Sequence, residues 1–103
     1  MLYSTAMRLF AVIRTRGGAW QSSSPLEQQK DWDAHASFMN DLQQEGFVLL
    51  GGPLEDTPYV LLIVRAGTPD EIMERLAADP WTGQDLLRVS RITPWILRLG
   101  SLP

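Results

Sequence analysis

The sequence predicts an α+β fold in which two β-α-β units run in tandem, and three observations support it. Two helix starts of the same form, Ser24-Pro25-Leu26-Glu27 and Thr68-Pro69-Asp70-Glu71, stand 44 residues apart. Each pairs a capping hydroxyl with a first-turn proline and a capping-box acid. Short runs of apolar and β-branched residues lie before, between and after them.

The elements follow in chain order. Met1 to Ala6 reads as a frayed end, and Met7 to Thr15 as a strand built on Leu9, Phe10, Val12 and Ile13. Gly17-Gly18 and the serines at 22 to 24 mark Arg16 to Ser23 as a loop. From the Ser24 cap onward, Trp32, Ala36, Met39 and Leu42, with Phe38 beside them, recur at the spacing of an amphipathic helix. Gly46 is its expected C-terminal cap.

Phe47 to Leu50 is the second strand, closed by a Gly51-Gly52-Pro53 turn, and Tyr59 to Val64 is the third. The second helix carries Ile72, Met73, Leu76 and Ala77 on one side. Asp79-Pro80-Trp81-Thr82-Gly83 interrupts it, and a last strand runs from about Leu86 to Leu97. Pro94 places that strand at an edge or a bulge. The order β-α-β-β-α-β gives an antiparallel sheet with both helices on one face, the ferredoxin-like arrangement.

A sheet covered on one face and wetted on the other should alternate apolar with polar residues. Here Leu9, Ala11 and Ile13 point one way while Phe10 and Val12 point the other, and Tyr59 to Val64 is apolar or aromatic throughout. The second face needs cover. At this length the expected cover is another copy of the same sheet, so a homodimer is predicted.

The chain has 103 residues, enough for one domain, with a core expected over about 7–98. Its 45% hydrophobic and 20% charged residues are ordinary for a globular protein. No apolar run reaches the ~20 residues of a membrane span, and Leu9 to Ile13, bracketed by Arg8 and Arg14, does not read as a secretory signal. A cytoplasmic location is the default expectation. A net charge of −3, with eight arginines and one lysine spread along the chain, argues against nucleic-acid binding. The absence of cysteine excludes a disulfide framework and a thiolate nucleophile. No cofactor or metal is expected, because no cluster of ligands accompanies the single histidine.

That histidine, His35, is the natural proton acceptor, since histidine changes charge near neutral pH. Helical spacing puts Asp31 one turn behind it and Met39 one turn ahead, at the border of the apolar stripe. Each candidate also has an ordinary structural reading. His35 can pack its ring and bond Asp31, Asp79 can cap the helical turn begun by Pro80, and Trp81 can be core. Gly17-Gly18 after a strand could cradle an anion, but no helix starts there and the signal is weak.

Several motifs together resemble the YciI-related domain family. They are His35-Ala36-Ser37-Phe38-Met39, Gly51-Gly52-Pro53-Leu54, Asp79-Pro80-Trp81 and Pro94-Trp95, in that order, between about Phe10 and Leu97. The resemblance implies a dimeric α+β barrel, related in shape to muconolactone isomerases, with His35 and Asp79 as the proposed active-site pair. It implies acid–base elimination or isomerisation of a small ring compound. The chain departs from the family in carrying Asp31 and Asp33 where a basic residue often precedes the histidine.

The sharper expectation is an acid–base enzyme. His35 takes the proton and Asp79 (or Asp31) fixes its tautomer. Phe38 and Trp81 wall the pocket, and Arg14 or Arg16 holds a substrate oxygen. The alternative is a non-catalytic dimeric module that binds a small molecule or accompanies a larger protein. A heme- or metal-binding role is weaker still.

Overall fold

The computed structural model describes residues 7–102. The frayed end expected at Met1 to Ala6 lies outside the described residues. Strands β1 (Arg8–Arg16), β2 (Val48–Pro53), β3 (Tyr59–Ala66) and β4 (Leu87–Pro94) form one sheet in the order β2-β3-β1-β4. All neighbours are antiparallel. Helices α1 (Trp32–Gln44) and α2 (Pro69–Ala77) and the short turn α3 (Pro80–Gly83) complete the fold. This is the ferredoxin-like α+β arrangement.

Both long helices pack on one face. Phe10, Val12, Val48, Leu62 and Val64 from the sheet meet Leu42 of α1 and Ile72 and Leu76 of α2. The register then sends the alternate residues to the opposite face. Ala11 lies opposite Ile63 and Ile13 opposite Leu61, while Leu50 also pairs with Ile63. That face is apolar, as the strand patterning predicts. Beyond β4 the chain continues with exposed Ile96 and Leu99.

Both edge strands are bulged. β4 places one extra residue, Ser90, between the partners of Ile13 and Arg14, and β2 does the same with Leu49 against β3. Bulges on edges blunt them against pairing and turn nearby side chains. Pro94 ends β4, where its missing N–H breaks no interior ladder.

The two matching helix starts behave differently. Thr68 accepts the Glu71 amide at 3.2 Å, and Glu71 reaches back to the Gly67 amide at 2.8 Å. The Ser24 signal instead yields only a 3-10 turn, Leu26–Gln28, and α1 begins seven residues after Pro25. Tertiary bonds explain the correction. The Gln29 side chain binds the Gln21 amide and the Gln21 and Ser24 carbonyls, and the Trp81 indole N–H takes the Lys30 carbonyl at 2.6 Å. These contacts hold Gln29 extended (ψ 153°) and interrupt the helix.

Gly46, at φ 81°, ends α1 as expected; the Phe47 amide bonds the Leu42 carbonyl at 3.0 Å. The expected Gly51-Gly52-Pro53 turn is strand instead, extending β2 to Pro53. A Cβ on Gly51 would come within 2.7 Å of the Leu62 side chain, so the glycine permits close strand packing. On α2, Ile72 and Leu76 are buried, whereas Met73 and Ala77 lie on the exposed side.

Candidate active site

Asp79 is the centre of the site, and its place follows from a local rule. It caps α3: its Oδ1 accepts the Trp81 amide at 3.0 Å, and Pro80 occupies the first helical position. The same carboxylate faces inward. Its Oδ2 accepts the His35 Nδ1–H at 2.9 Å and the Arg14 Nη1–H at 2.8 Å. One side chain therefore both caps α3 and joins His35 to Arg14.

Burial opposes the charge on Asp79. The hydrogen bonds from His35, Arg14 and the Trp81 amide outweigh it and hold the carboxyl below its ordinary value. An ionised carboxylate only accepts, so the His35 Nδ1 carries the proton in this bond. The Nε2 lone pair is left as the ring's basic site.

Further contacts fix the imidazole and its partners. The Trp81 indole stacks on the His35 ring, with centroids 3.9 Å apart and planes 3° from parallel. Trp20 meets Trp81 edge-on, and Trp32 tilts against both rings. Such aromatic pairs contribute roughly 0.5–1.5 kcal/mol each beyond area burial. Arg14 also donates from Nη2 to Thr82 Oγ1 at 2.8 Å, and that hydroxyl donates to the Leu76 carbonyl. β1, α1 and α3 are thus tied together at one point.

Beside this network lies a cavity of about 430 Å³ between α1 and β2, a volume suited to a small organic molecule. Arg14, His35, Trp32 and Met39 line it, with β2 along one side. Several side chains sit differently from expectation. Trp81 is fully buried behind the imidazole, and Phe38 packs into the main core, so neither walls the cavity. Phe38 stands three residues after His35 and Met39 four, and the longer step returns closer to the same helix face.

Arg14 lines the cavity but gives both terminal nitrogens to Asp79 and Thr82. Arg16 is exposed and lies over the Trp20 ring. Asp31 does not bond the His35 ring with its carboxylate; only its backbone carbonyl accepts the His35 amide, at 3.0 Å. Its left-handed backbone (φ 57°) sends the carboxylate to the Gln84 amide at 2.6 Å. Trp32 and Met39 are cavity residues that the sequence placed in the core stripe; their positions one turn to either side of His35 were the available signal.

Among the described residues no group of three or more His, Asp or Glu could hold a metal ion. No helix there is long and apolar enough to cross a membrane. Gly17-Gly18 packs against Asp85, which accepts the Gly18 amide at 3.0 Å. A bond from Arg88 and this amide bring the Asp85 carboxyl to about 2. The glycine pair is therefore engaged within the protein.

Among solved structures, the chain is similar to 5-chloro-2-hydroxyhydroquinone dehydrochlorinase (TftG) from Burkholderia phenoliruptrix AC1100, in complex with 2,5-dihydroxybenzoquinone. The TM-score is 0.53 at 22% identity, covering 89% of this chain and 95% of the other. At that identity the likeness speaks to the fold. Comparison with curated protein sequences gives no match. The family model of the YCII-related domain matches residues 7–96, nearly the whole chain and every element of the site. The protein belongs to the YCII-related domain family.

Proposed function

We propose that the protein is an acid–base enzyme of the lyase or isomerase type, acting on a small cyclic molecule. The observation that carries this is the 2.9 Å bond from His35 to a buried, ionised Asp79 beside a cavity of ligand size. Nε2 removes a proton from a carbon activated by a neighbouring carbonyl or enol. In an elimination the electron pair expels a leaving group from the adjacent carbon; in an isomerisation the proton returns at another position. Asp79 stabilises the imidazolium formed, as an anion fixed at its Nδ1 edge. Arg14 acts through Asp79, keeping it charged and oriented. The TftG structure, a complex with 2,5-dihydroxybenzoquinone, supports a ligand of this size.

The assembly belongs to the same proposal. Ala11, Ile13, Leu50, Leu61 and Ile63 form an apolar sheet face outside the main core, and a second copy packed face to face covers it. A soluble homodimer working in the cytoplasm is the form in which we expect the site to act.

The test is turnover of a panel of small cyclic enols, quinols and halogenated ring compounds, followed by spectroscopy and solvent-deuterium incorporation. His35→Gln lowers turnover by roughly 10²–10⁴-fold while circular dichroism and molecular mass stay unchanged. Full activity in that folded variant would sink the proposal. Binding of panel members without turnover by the wild type would favour a non-catalytic binding module.

A further inference from the structure

The groove beside His35 is long, and its ionisable groups are few. It runs along α1 from Trp32 past Met39 to Asn40 and Gln43, while all of β2 from Val48 to Pro53 lines its other side. Gln43 stands eight residues beyond His35, so the two levels are about 12 Å apart along the helix axis. The six residues of β2 span a comparable length, roughly 17–20 Å. Between the ends the walls are apolar, with Met39, Val48, Val60 and Leu62.

Arg14 and His35 are the ionisable side chains among the lining residues. The Arg14 charge is matched by Asp79, each terminal nitrogen already donates one bond, and the residue is 1% exposed, with its unpartnered Nε shut off from solvent. An anionic ligand would lose its water without gaining a free cation. The acids of α1, Asp33 and Asp41, and Glu45 just past its end do not line the groove. The far end offers two uncharged carboxamides, each able to donate and accept.

We propose that this groove selects an uncharged, elongated ligand. Its reactive polar group meets His35, an apolar middle lies along Met39 and β2, and a second hydrogen-bonding group about 10–12 Å away meets Asn40 and Gln43. Asn40 and Gln43 are then the residues that determine specificity. The inference takes from the proposed function only that the groove is the ligand site.

A matched probe set tests it by quenching of tryptophan fluorescence, since Trp32 lines the groove, with calorimetry as a second readout. The probes are biphenyl-4,4′-diol, biphenyl-4-ol and 4′-hydroxybiphenyl-4-carboxylate. The diol binds roughly fivefold tighter than the mono-ol, the worth of one net hydrogen bond, and the carboxylate at least about tenfold weaker than the diol. In Asn40→Ala/Gln43→Ala, both exposed helix positions where alanine is well tolerated, the advantage of the diol disappears. The proposal is overturned if the carboxylate binds as tightly as the diol or if the double variant keeps the diol preference. It is also overturned if neither neutral probe binds below about 1 mM, a threshold of only about −4 kcal/mol. The readout is binding alone, so its failure leaves the acid–base reading intact, and failed turnover leaves this one intact.

Discussion

Replacing Asp79 by asparagine separates the two jobs this side chain holds. As a cap, Asp79 needs one oxygen for the Trp81 amide, and asparagine supplies that oxygen. As an anion, it needs Oδ2 for both Arg14 and His35. Asparagine puts an NH₂ group there, so a donor faces the donors of Arg14. Arg14 is 1% exposed and would be left as a buried, uncompensated cation. Breaking a buried pair from one side costs about 3–5 kcal/mol, whereas an asparagine that only capped would cost a few tenths.

The expected loss is therefore about 3 kcal/mol at pH 7. With a urea slope near 1.5 kcal/mol/M, the midpoint falls by about 2 M, measured at fixed protein concentration. Removing the cation as well, in Arg14→Met/Asp79→Asn, restores at least about 1.5 kcal/mol of the loss, because a buried pair can be exchanged for apolar packing at small net cost. A loss below about 1 kcal/mol in the single variant, or no recovery in the double, would falsify the view that an ion pair organises this site.

Other outcomes follow from the same contacts. The folded Asp79 carboxyl lies below its ordinary value, while the unfolded chain takes up that proton near pH 4. Its contribution is therefore complete above about pH 5 and is lost as pH falls through the folded value; denaturation from pH 7 to 3 should show this slope, flattened in Asp79→Asn. Gly17→Ala drives a Cβ to 2.1 Å from the Asp85 carbonyl oxygen, a backbone atom that cannot swing aside, so its thermal midpoint should drop by an amount equivalent to roughly 1–3 kcal/mol; an unchanged midpoint would refute the close-approach argument. Sedimentation should give a dimer for the wild type and a monomer for Ile13→Arg/Leu61→Arg, since each charge sits at the centre of the apolar face; a monomeric wild type would remove the need for cover.

Wherever the cause was local, the sequence was readable. Strand and helix order, the Thr68 cap, the Gly46 terminus and the capping geometry of Asp79 all depend on residues within four positions of one another. The ferredoxin-like arrangement follows from that order together with chain-crossover rules. The Ser24 helix start had equally good local form, yet Gln29 and Trp81 spent its backbone on tertiary bonds. Gly51-Gly52 looked like a turn because glycine's freedom is its usual reason for being there; here the reason is the nearness of Leu62.

For the site, residue types were legible and partners were not. A lone histidine in a chain without cysteine narrowed the chemistry, and the resemblance singled out Asp79. Spacing alone could not choose between Asp31, four residues from His35, and Asp79, forty-four away. The left-handed backbone at Asp31 and the approach of α3 to α1 decided that. They also moved Trp81 behind the imidazole and turned Arg14 from a candidate substrate ligand into the partner of Asp79. Local propensity acts within a turn or two of the chain. Which charges meet in the interior depends on how separate elements pack, and only the tertiary structure contains that information.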